Sequence, residues 1–335
     1  MKRILVVSVN WFGDAIMTTP ALKAIKEKFP LSFLAVMAPD RVREVFSDNP
    51  YVDEVIVFDE KKSHRSFRSK LSFIKQLRAK KFDTVFLVHR SFTRALICFL
   101  AGIKTRIGYK RPKNILVVNF PIIPPPKNIH KQDYYLYLFE KAGINISDKL
   151  AKVYIEKNRL EKCKNEMAAI RKKHAYVVGI NPSANWLLKR WPAENFAILC
   201  DKLIKELNCA IIIIGAKADS QTVEDVIEKM ERSVYNLCGK TTIKELAAVI
   251  SNLDLFISND SGPAHLSASL GINTLVLFGP TSSALSAPRG ERVEIFKKSI
   301  DCEIPCFNVN CIDNLCMKNI TVEDAFLKAK TILKK

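Results

Sequence analysis

Residues 255–271 read LFISNDSGPAHLSASLG, a short apolar run followed by a polar turn and the start of a helix. The apolar run predicts a buried β-strand, and Pro263 suits the first turn of the helix that follows. Asp260 or Ser261 can cap that helix, and Gly262 lets backbone amides approach a ligand closely. Because amides at a helix start and the helix dipole both attract negative charge, this stretch predicts a diphosphate site.

An ordinary capped helix is the alternative for this turn, but it leaves Gly262 and His265 unexplained. A second polar loop, PSANWLLKRWP at residues 182–192, follows another predicted strand of the same sheet. Lys189 in this loop is a natural charge partner for a diphosphate at that edge. A solvated Lys-Arg pair is the alternative, although the neighbouring tryptophans favour a packed loop. A third loop on the same edge ends in Asp219.

Apolar runs alternate with stretches of helical spacing along the whole chain, which is typical of strands and helices around parallel sheets. The predicted strands are residues 4–9, 33–37, 55–58, 84–88, 105–108, 176–181, 210–215, 234–237, 255–258 and 274–278. The predicted helices include residues 132–142, 193–207, 221–231, 243–251, 263–270 and 322–333. The fold class is therefore α/β, with two facing Rossmann-like, doubly wound parallel-sheet domains and a cleft between them.

A chain of 335 residues exceeds the usual size of a single core, so two domains are expected. We predict an N-terminal domain at residues 1–158, a charged linker at 159–174, a second domain at 175–321 and a C-terminal helix at 322–335.

Several protein classes are disfavoured by missing motifs. No G-x-G-x-x-G follows the first strand and no G-x-x-x-x-G-K-[ST] occurs, which argues against a dinucleotide cofactor there and against an NTPase. The longest uncharged apolar stretch, residues 95–103, is about half of a bilayer span. The apolar start lacks a cleavage site, and the nine cysteines without an export signal favour a reduced, cytoplasmic protein.

Positive charge is concentrated in the first half of the chain. Residues 1–158 carry 29 Lys and Arg against 14 Asp and Glu, whereas residues 159–335 carry 24 against 20. This asymmetry favours an anionic partner for the N-terminal domain, namely nucleic acid, an anionic membrane, or a phosphorylated or carboxylated substrate. A merely solvated basic face is the alternative. A nucleic-acid-binding protein is disfavoured because no recognisable binding motif is present.

Four motifs together resemble those of glycosyltransferase family 9, which contains the ADP-heptose:lipopolysaccharide heptosyltransferases. They are Val6–Thr19 with Gly13-Asp14, Lys189–Pro192, Asn236–Thr241, and Asn259–His265 continuing through Leu277–Thr281. The similarity runs over most of the chain and is nearest to the heptosyltransferase II branch. It implies a GT-B fold, an inverting reaction and no catalytic metal or other cofactor. The sequence agrees on the metal, because no D-x-D motif occurs.

The resemblance also implies which residues hold the ADP-sugar donor: Ser183, Lys189, Thr242, Asp260, Ser261, Gly262 and His265. Where the family often has a Glu that contacts the ribose, this chain departs from the pattern, and Asp219 is the candidate replacement. The implied function is transfer of heptose from ADP-heptose to the inner core of lipopolysaccharide. A family 9 transferase with another nucleotide sugar or acceptor is the alternative, because nothing in the sequence separates heptose from hexose.

Asp14 is the candidate catalytic base. Inversion by direct displacement needs one group to take the proton of the acceptor hydroxyl, and a single positioned carboxylate is sufficient. Asp14 directly follows Gly13 after the first strand, and the family resemblance places its base at this position. The alternative is that Asp14 only caps the helix that follows.

Acceptors in the resembled family are anionic core saccharides on a lipid in the cytoplasmic leaflet, which implies peripheral association with the inner membrane. The candidate acceptor-binding residues are Arg90, Arg94, Arg106 and Arg111, expected after later strands of the first sheet, and His130. Guanidinium groups bind phosphate or carboxylate in bidentate fashion. His130 falls in a linker that often contacts acceptor in this family.

Residues 61–81 contain nine basic residues and no acidic one, interleaved with Phe67, Leu71, Phe73, Ile74 and Leu77. Such a segment can lie on an anionic membrane through charge and apolar contact together. A solvated helix with a buried apolar stripe is the alternative.

Four cysteines, Cys302, Cys306, Cys311 and Cys316, fall within fifteen residues near the C-terminus. Their spacing, C-x3-C-x4-C-x4-C, differs from the paired C-x2-C units of common zinc sites. A structural zinc or iron–sulfur site is disfavoured but stays open. The heptosyltransferase II branch often carries cysteines here beside histidines, which this chain lacks.

Overall fold

The computed structural model describes residues 2–306, 308 and 310–334, and the chain divides into two compact units. The first unit ends at Tyr154 and the second begins at Ile155. Each unit is an α/β layer structure around its own six-stranded parallel sheet. Among the described helices, none is long and apolar enough to cross a bilayer.

The first unit has the sheet order β3-β2-β1-β4-β5-β6. Its strands are β1 (Arg3–Val7), β2 (Phe33–Ala38), β3 (Glu54–Val57), β4 (Thr84–Leu87), β5 (Thr105–Tyr109) and β6 (Phe120–Ile122). Its helices are α1 (Phe12–Met17), α2 (Thr19–Lys28), α3 (Glu44–Ser47), α4 (Phe67–Ala79), α5 (Phe92–Leu100) and α6 (Lys131–Lys141), with 3-10 turns at Asp40–Val42 and Pro112–Asn114.

The first sheet is covered on both faces, which is why its central strands are nearly continuous apolar runs. Side chains from α4 and α5 pack with Leu5, Val7 and Leu87 of the central strands into one core. Helix α6 packs against α1, α2 and β5. The strand order reverses between β1 and β4, so the loops after these two strands flank the point where ligands bind in such sheets.

The second unit has the sheet order β12-β11-β10-β7-β8-β9. Its strands are β7 (Tyr176–Asn181), β8 (Cys209–Ile213), β9 (Tyr235–Asn236), β10 (Leu255–Asn259), β11 (Thr274–Leu277) and β12 (Val293–Phe296). Its helices are α7 (Lys157–Arg171), α8 (Ala193–Leu207), α9 (Ser220–Ile227), α10 (Ile243–Ile250), α11 (Gly262–Ser269), α12 (Ser283–Ser286), α13 (Leu315–Lys318) and α14 (Val322–Leu333), with 3-10 turns at Leu187–Lys189 and Lys217–Asp219.

All ten predicted strands are confirmed, with ends that shift by a few residues. The two strands that the sequence did not reveal, β6 and β12, lie at sheet edges. Strand β6 is three residues long and contains Pro121, which lacks the N–H that a central strand needs. Strand β12 is only half-buried, and Glu294 interrupts its four residues, so its apolar run is too short to notice.

The segment predicted as a linker, residues 159–174, lies largely within α7 of the second unit. Cys163 and Met167 are buried, and their i, i+4 spacing puts them on one face of the helix. The many charged residues on its other faces concealed this narrow apolar stripe. The division of the chain falls between Tyr154 and Ile155, just before α7.

Candidate active site

The turn between β10 and α11 has the strand–turn–helix form expected from residues 255–271. Ser261 is the N-cap residue of α11, yet its side chain makes no capping hydrogen bond to the helix. Its hydroxyl oxygen instead lies 2.9 Å from the side-chain nitrogen of Asn181 and 2.9 Å from Oγ of Ser258. The first-turn amides of α11 are therefore not capped by Ser261 and point toward the carboxyl edge of the sheet.

Ser183 lies beside this turn. The side-chain nitrogen of Asn181 donates to the Ser183 carbonyl at 3.1 Å as well as to the Ser261 hydroxyl, and so it ties the loop after β7 to the loop after β10. The Ser183 hydroxyl is buried and has no hydrogen-bond partner among the described residues. Buried hydroxyls nearly always have a hydrogen-bond partner. An unpartnered Ser183 hydroxyl near the start of α11 is therefore a feature expected of a ligand site.

Lys189 and Asp260 form an ion pair at the same edge. The Lys189 ammonium donates to Oδ2 of Asp260 at 2.6 Å, and the Thr281 hydroxyl donates to the same oxygen at 2.8 Å. Asp260 is only 6% exposed, whereas the Lys189 side chain retains 22% exposure. The ammonium is thus fixed in position by a buried carboxylate, while part of the Lys189 side chain stays exposed.

The loop that carries Lys189 is anchored through Trp191, which is 2% exposed. Its backbone N–H donates to Oδ1 of Asn259 at 3.1 Å, and its indole N–H donates to the Ile320 carbonyl at 2.8 Å. The Asn259 amide in turn donates to the Pro182 carbonyl at 2.7 Å. Sequence reasoning missed the supporting roles of Asn181, Ser258, Asn259 and Thr281, although three of them stand at strand ends beside the quoted motifs.

The remaining donor candidates also lie at this edge but have local structural duties. Thr242 caps α10 by accepting from the Glu245 N–H at 3.2 Å, while the Glu245 carboxylate accepts from the Thr242 N–H at 2.8 Å. The Asp219 carboxylate accepts from the Ala216 N–H at 2.9 Å. His265 is buried within α11. The structure therefore brings the predicted donor residues to the carboxyl ends of β10, β7, β8 and β9, which are neighbours in the sheet.

Asp14 lies in the first turn of α1, and its side chain is 14% exposed. The N-cap residue of this helix is Trp11, so Asp14 is not the cap. The Tyr135 hydroxyl donates to Oδ2 of Asp14 at 2.9 Å, and the Lys131 ammonium lies 3.7 Å from Oδ1. Burial, together with the nearby carboxylate, raises the pKa of Tyr135, so this phenol stays protonated and donates. Neither contact was foreseen, because α6 and α1 meet only in the folded unit.

Arg94 has a different role from the one expected. It is 3% exposed, and its guanidinium donates to the Ser8 carbonyl at 3.0 Å and to Oδ1 of Asn10 at 2.6 Å. The Arg41 guanidinium donates to the Asn10 carbonyl at 2.9 Å. These bonds hold the β1–α1 loop, so Arg94 supports the loop that presents Asp14 and is not exposed to an acceptor.

The structure also places Arg106 differently from the sequence prediction. It lies near the amino end of β5, and its guanidinium donates to the backbone carbonyls of Val117, Ile103 and Lys104. His130 is buried as the N-cap of α6, where its Nδ1 accepts from the Gln132 N–H at 3.1 Å. Both side chains therefore bind backbone atoms of their own unit. Their sequence neighbours did not predict these contacts.

Arg90 and Arg111 do follow β4 and β5, as predicted. Arg90 is exposed, donates from Nε to the Tyr134 hydroxyl at 3.1 Å, and stacks its guanidinium 4.7 Å from the centre of that ring. Tyr134 adjoins Tyr135, so Arg90 lies in the neighbourhood of Asp14. Arg111 is half-buried at the start of the Pro112–Asn114 turn.

The four C-terminal cysteines are half-buried or exposed and unpaired by disulfides. Burial, together with the other three thiols nearby, raises the pKa of Cys316. Within the described residues, no three or more Cys, His, Asp or Glu side chains are grouped to hold one metal ion. The structure therefore places the other three thiols near Cys316.

His89 supplies a pH-dependent element beside the β1–α1 loop, where its Nε2 lies 2.7 Å from the side-chain nitrogen of Asn10. Burial, with Arg94 and Arg41 nearby, lowers its pKa from 6.5 to about 4, so the imidazole is neutral in the folded protein. Because the folded pKa lies below the unfolded one, stability is complete above pH 6.5 and is lost as the pH falls toward 4. We expect the wild type to lose about 2 kcal/mol more than a His89→Gln variant over this range, allowing for partial exposure. Urea unfolding followed by circular dichroism measures the difference, and parallel pH profiles would refute it.

Comparison with known proteins agrees with the architecture and the motifs. The sequence model of glycosyltransferase family 9 (heptosyltransferase) matches residues 70–316. The chain is 29% identical to lipooligosaccharide heptosyltransferase 2 of Campylobacter jejuni serotype O:2, over 99% of this chain and 98% of that protein. A family 9 glycosyltransferase structure from Veillonella parvula superposes with a TM-score of 0.90 at 24% identity, covering 99% of this chain and 97% of that one. The Escherichia coli heptosyltransferase II structure gives 0.83 at 22% identity, covering 100% and 99%.

Two doubly wound parallel-sheet units with these motifs define the GT-B class of glycosyltransferases. The match to the family model covers well over half of the sequence, so it identifies the family as well as the fold class. The chain belongs to glycosyltransferase family 9 and is a glycosyltransferase enzyme.

Proposed function

We propose that the protein is an inverting, metal-independent heptosyltransferase that moves heptose from ADP-heptose to the inner core of lipopolysaccharide. Its family and its similarity to heptosyltransferases 2 over nearly the full length support this activity. The site observation that carries the proposal is the start of α11, where uncapped amides, an orphaned Ser183 hydroxyl and the Lys189 ammonium share one sheet edge.

In the second unit, the proposed donor site stabilises the departing diphosphate. Charge builds on the diphosphate oxygens as the bond to the sugar breaks, and amides at a helix start meet that charge without rearranging. Lys189 adds a full positive charge there, and Asp260 with Thr281 holds it in place. These groups supply the positive charge that the proposal requires, so we propose that transfer proceeds without a metal ion. Thr242, Asp219 and His265 complete the proposed donor edge.

In the first unit, we propose that Asp14 takes the proton of the acceptor hydroxyl. The Tyr135 hydrogen bond and the Lys131 ion pair orient the carboxylate. Arg90 and Arg111 are proposed to contact phosphate or carboxylate groups of the acceptor. Arg94, Arg106 and His130 lie outside this proposed acceptor contact, because each binds backbone or loop atoms. Such an acceptor places the enzyme at the cytoplasmic face of the inner membrane.

The base of the nucleotide is open to a direct test. Among ADP, UDP, GDP and CDP, we expect ADP alone to raise the melting temperature of the protein clearly. A ligand at about 100 times its Kd adds about 2.7 kcal/mol, which corresponds to several degrees for a unit of this size. A thermal-shift panel at matched concentrations measures this. A preference for UDP or GDP would overturn the ADP-heptose proposal and favour a family 9 transferase with another donor.

A further inference from the structure

Nearly all of the excess positive charge of the chain lies in one segment of the first unit. Residues 61–132 contain 18 Lys and Arg but only one acidic residue, Asp83, in a chain whose net charge is +19. Among the described ion pairs, only the one with Glu54 joins a basic side chain between Lys61 and Lys127, namely Lys80, to a carboxylate. Apart from this pair and that of Lys131 with Asp14, no described ion pair joins a cation of the segment to a carboxylate.

Helices α4 and α5 of this segment form a layer on one face of the first sheet. On α4, Phe73, Ile74 and Leu77 are buried in the core that α5 shares. Helix α4 packs against α5, and α5 packs against the Pro112–Asn114 turn. The Arg78 guanidinium donates to the Leu100 carbonyl at 2.6 Å, which joins the end of α4 to the end of α5.

The outer side of α4 combines charge with exposed apolar groups. Arg68, Leu71 and Lys75 recur at i, i+3 and i+7, so they form one stripe, and all three are exposed. Phe67, at the start of the helix, is 76% exposed. The structure therefore confirms the buried apolar stripe predicted as the alternative for residues 61–81, and the opposite side of the helix is basic and apolar.

Exposed apolar residues are concentrated in the same layer. Of the 19 large hydrophobic residues that are exposed in the described chain, nine fall between residues 67 and 123. They are Phe67, Leu71, Phe92, Phe99, Leu100, Ile115, Leu116, Phe120 and Ile123. Leu116, at 87% exposure, is the most exposed of them. We call the outer surface of α4, α5 and residues 115–123 the basic face.

We infer that the basic face binds an anionic lipid bilayer. Cations attract the lipid phosphates, and the apolar side chains between them gain free energy by entering the headgroup boundary. A nucleic acid would use the cations but would leave aliphatic groups such as Ile115 and Leu116 in water. The inference rests on the proposed function and adds to it the surface by which the protein binds the membrane that carries the acceptor. It needs neither donor nor acceptor, so it can fail independently of the proposed reaction.

The experiment is co-sedimentation of the full chain with vesicles of phosphatidylcholine alone or mixed with phosphatidylglycerol, in the absence of donor and acceptor. We expect binding only to the anionic vesicles, with a steep loss as salt shortens the screening length. Ile115→Ser combined with Leu116→Ser should weaken binding by about tenfold or more. Arg68→Gln combined with Lys75→Gln should weaken it by about thirtyfold, from about 1 kcal/mol per cation.

Matched controls separate this face from general effects of charge and hydrophobicity. Leu31→Ser removes a leucine that is 83% exposed elsewhere in the same unit, and Lys164→Gln with Lys172→Gln removes two exposed cations from the second unit. Both controls should bind like the wild type. Equal binding by the basic-face variants, binding to neutral vesicles, no vesicle binding, or complete displacement by single-stranded RNA would each overturn the inference.

Discussion

Replacing Asp14 by asparagine is expected to lower the kcat of glycosyl transfer by about 10³-fold, while the affinity for the nucleotide stays unchanged. An amide of nearly the same shape cannot accept the proton of the acceptor hydroxyl. Its side-chain oxygen can still accept from the Tyr135 hydroxyl, so the contact between α1 and α6 is retained. Initial rates of heptose transfer measure the first effect, and calorimetric titration with ADP measures the second.

Asp40→Asn is the matched control for Asp14→Asn. Asp40 is an exposed carboxylate of the same unit whose ion partner, Arg43, is three residues away on the surface. Its variant should retain wild-type turnover, because surface pairs of this kind contribute little. If the Asp14 variant also retained turnover, Asp14 would be removed as the base. A fall in melting temperature that matched the loss of rate would assign Asp14 to stability instead.

The sequence was sufficient for the fold because each central strand is a run of apolar residues followed by a turn and a helical stretch. Such runs arise when a parallel sheet is buried on both faces. The edge strands β6 and β12 escape this logic, since one side of an edge has no neighbour and the residues there are free to be polar or proline. Helix α7 was predicted as a linker for a related reason: its apolar pattern is weak, because only Cys163 and Met167 are buried along it.

The candidate site was predictable where a motif lies within one loop, and unpredictable where two distant segments meet. The turn at Ser261 could be derived because strand, glycine and helix start are adjacent in sequence. The contact of Asp14 with Tyr135 joins residues 121 positions apart, and it depends on how α6 packs on α1. Arg94 was assigned to the acceptor because an arginine after a strand fits either role. Its burial and its hydrogen bonds to Ser8 and Asn10 show that it holds the β1–α1 loop.

The second large effect is expected at Lys189. Lys189→Met should lower kcat by about 10²-fold, because it removes a positive charge that the proposed donor site places beside the departing diphosphate. It should also destabilise the protein by about 2 kcal/mol, since Asp260 would remain buried with the Thr281 hydroxyl as its one side-chain partner among the described residues. Steady-state kinetics and urea unfolding of the same preparation measure the two effects separately.

A double variant distinguishes a role in catalysis from a role in neutralising Asp260. Lys189→Met with Asp260→Asn removes both charges, so stability should return close to that of the wild type. Turnover should stay about 10²-fold low, because an asparagine cannot replace the ammonium at the leaving diphosphate. Lys189→Arg keeps the charge and should recover much of the rate. Recovery of full turnover in the double variant would instead mean that Lys189 serves only to balance the buried carboxylate.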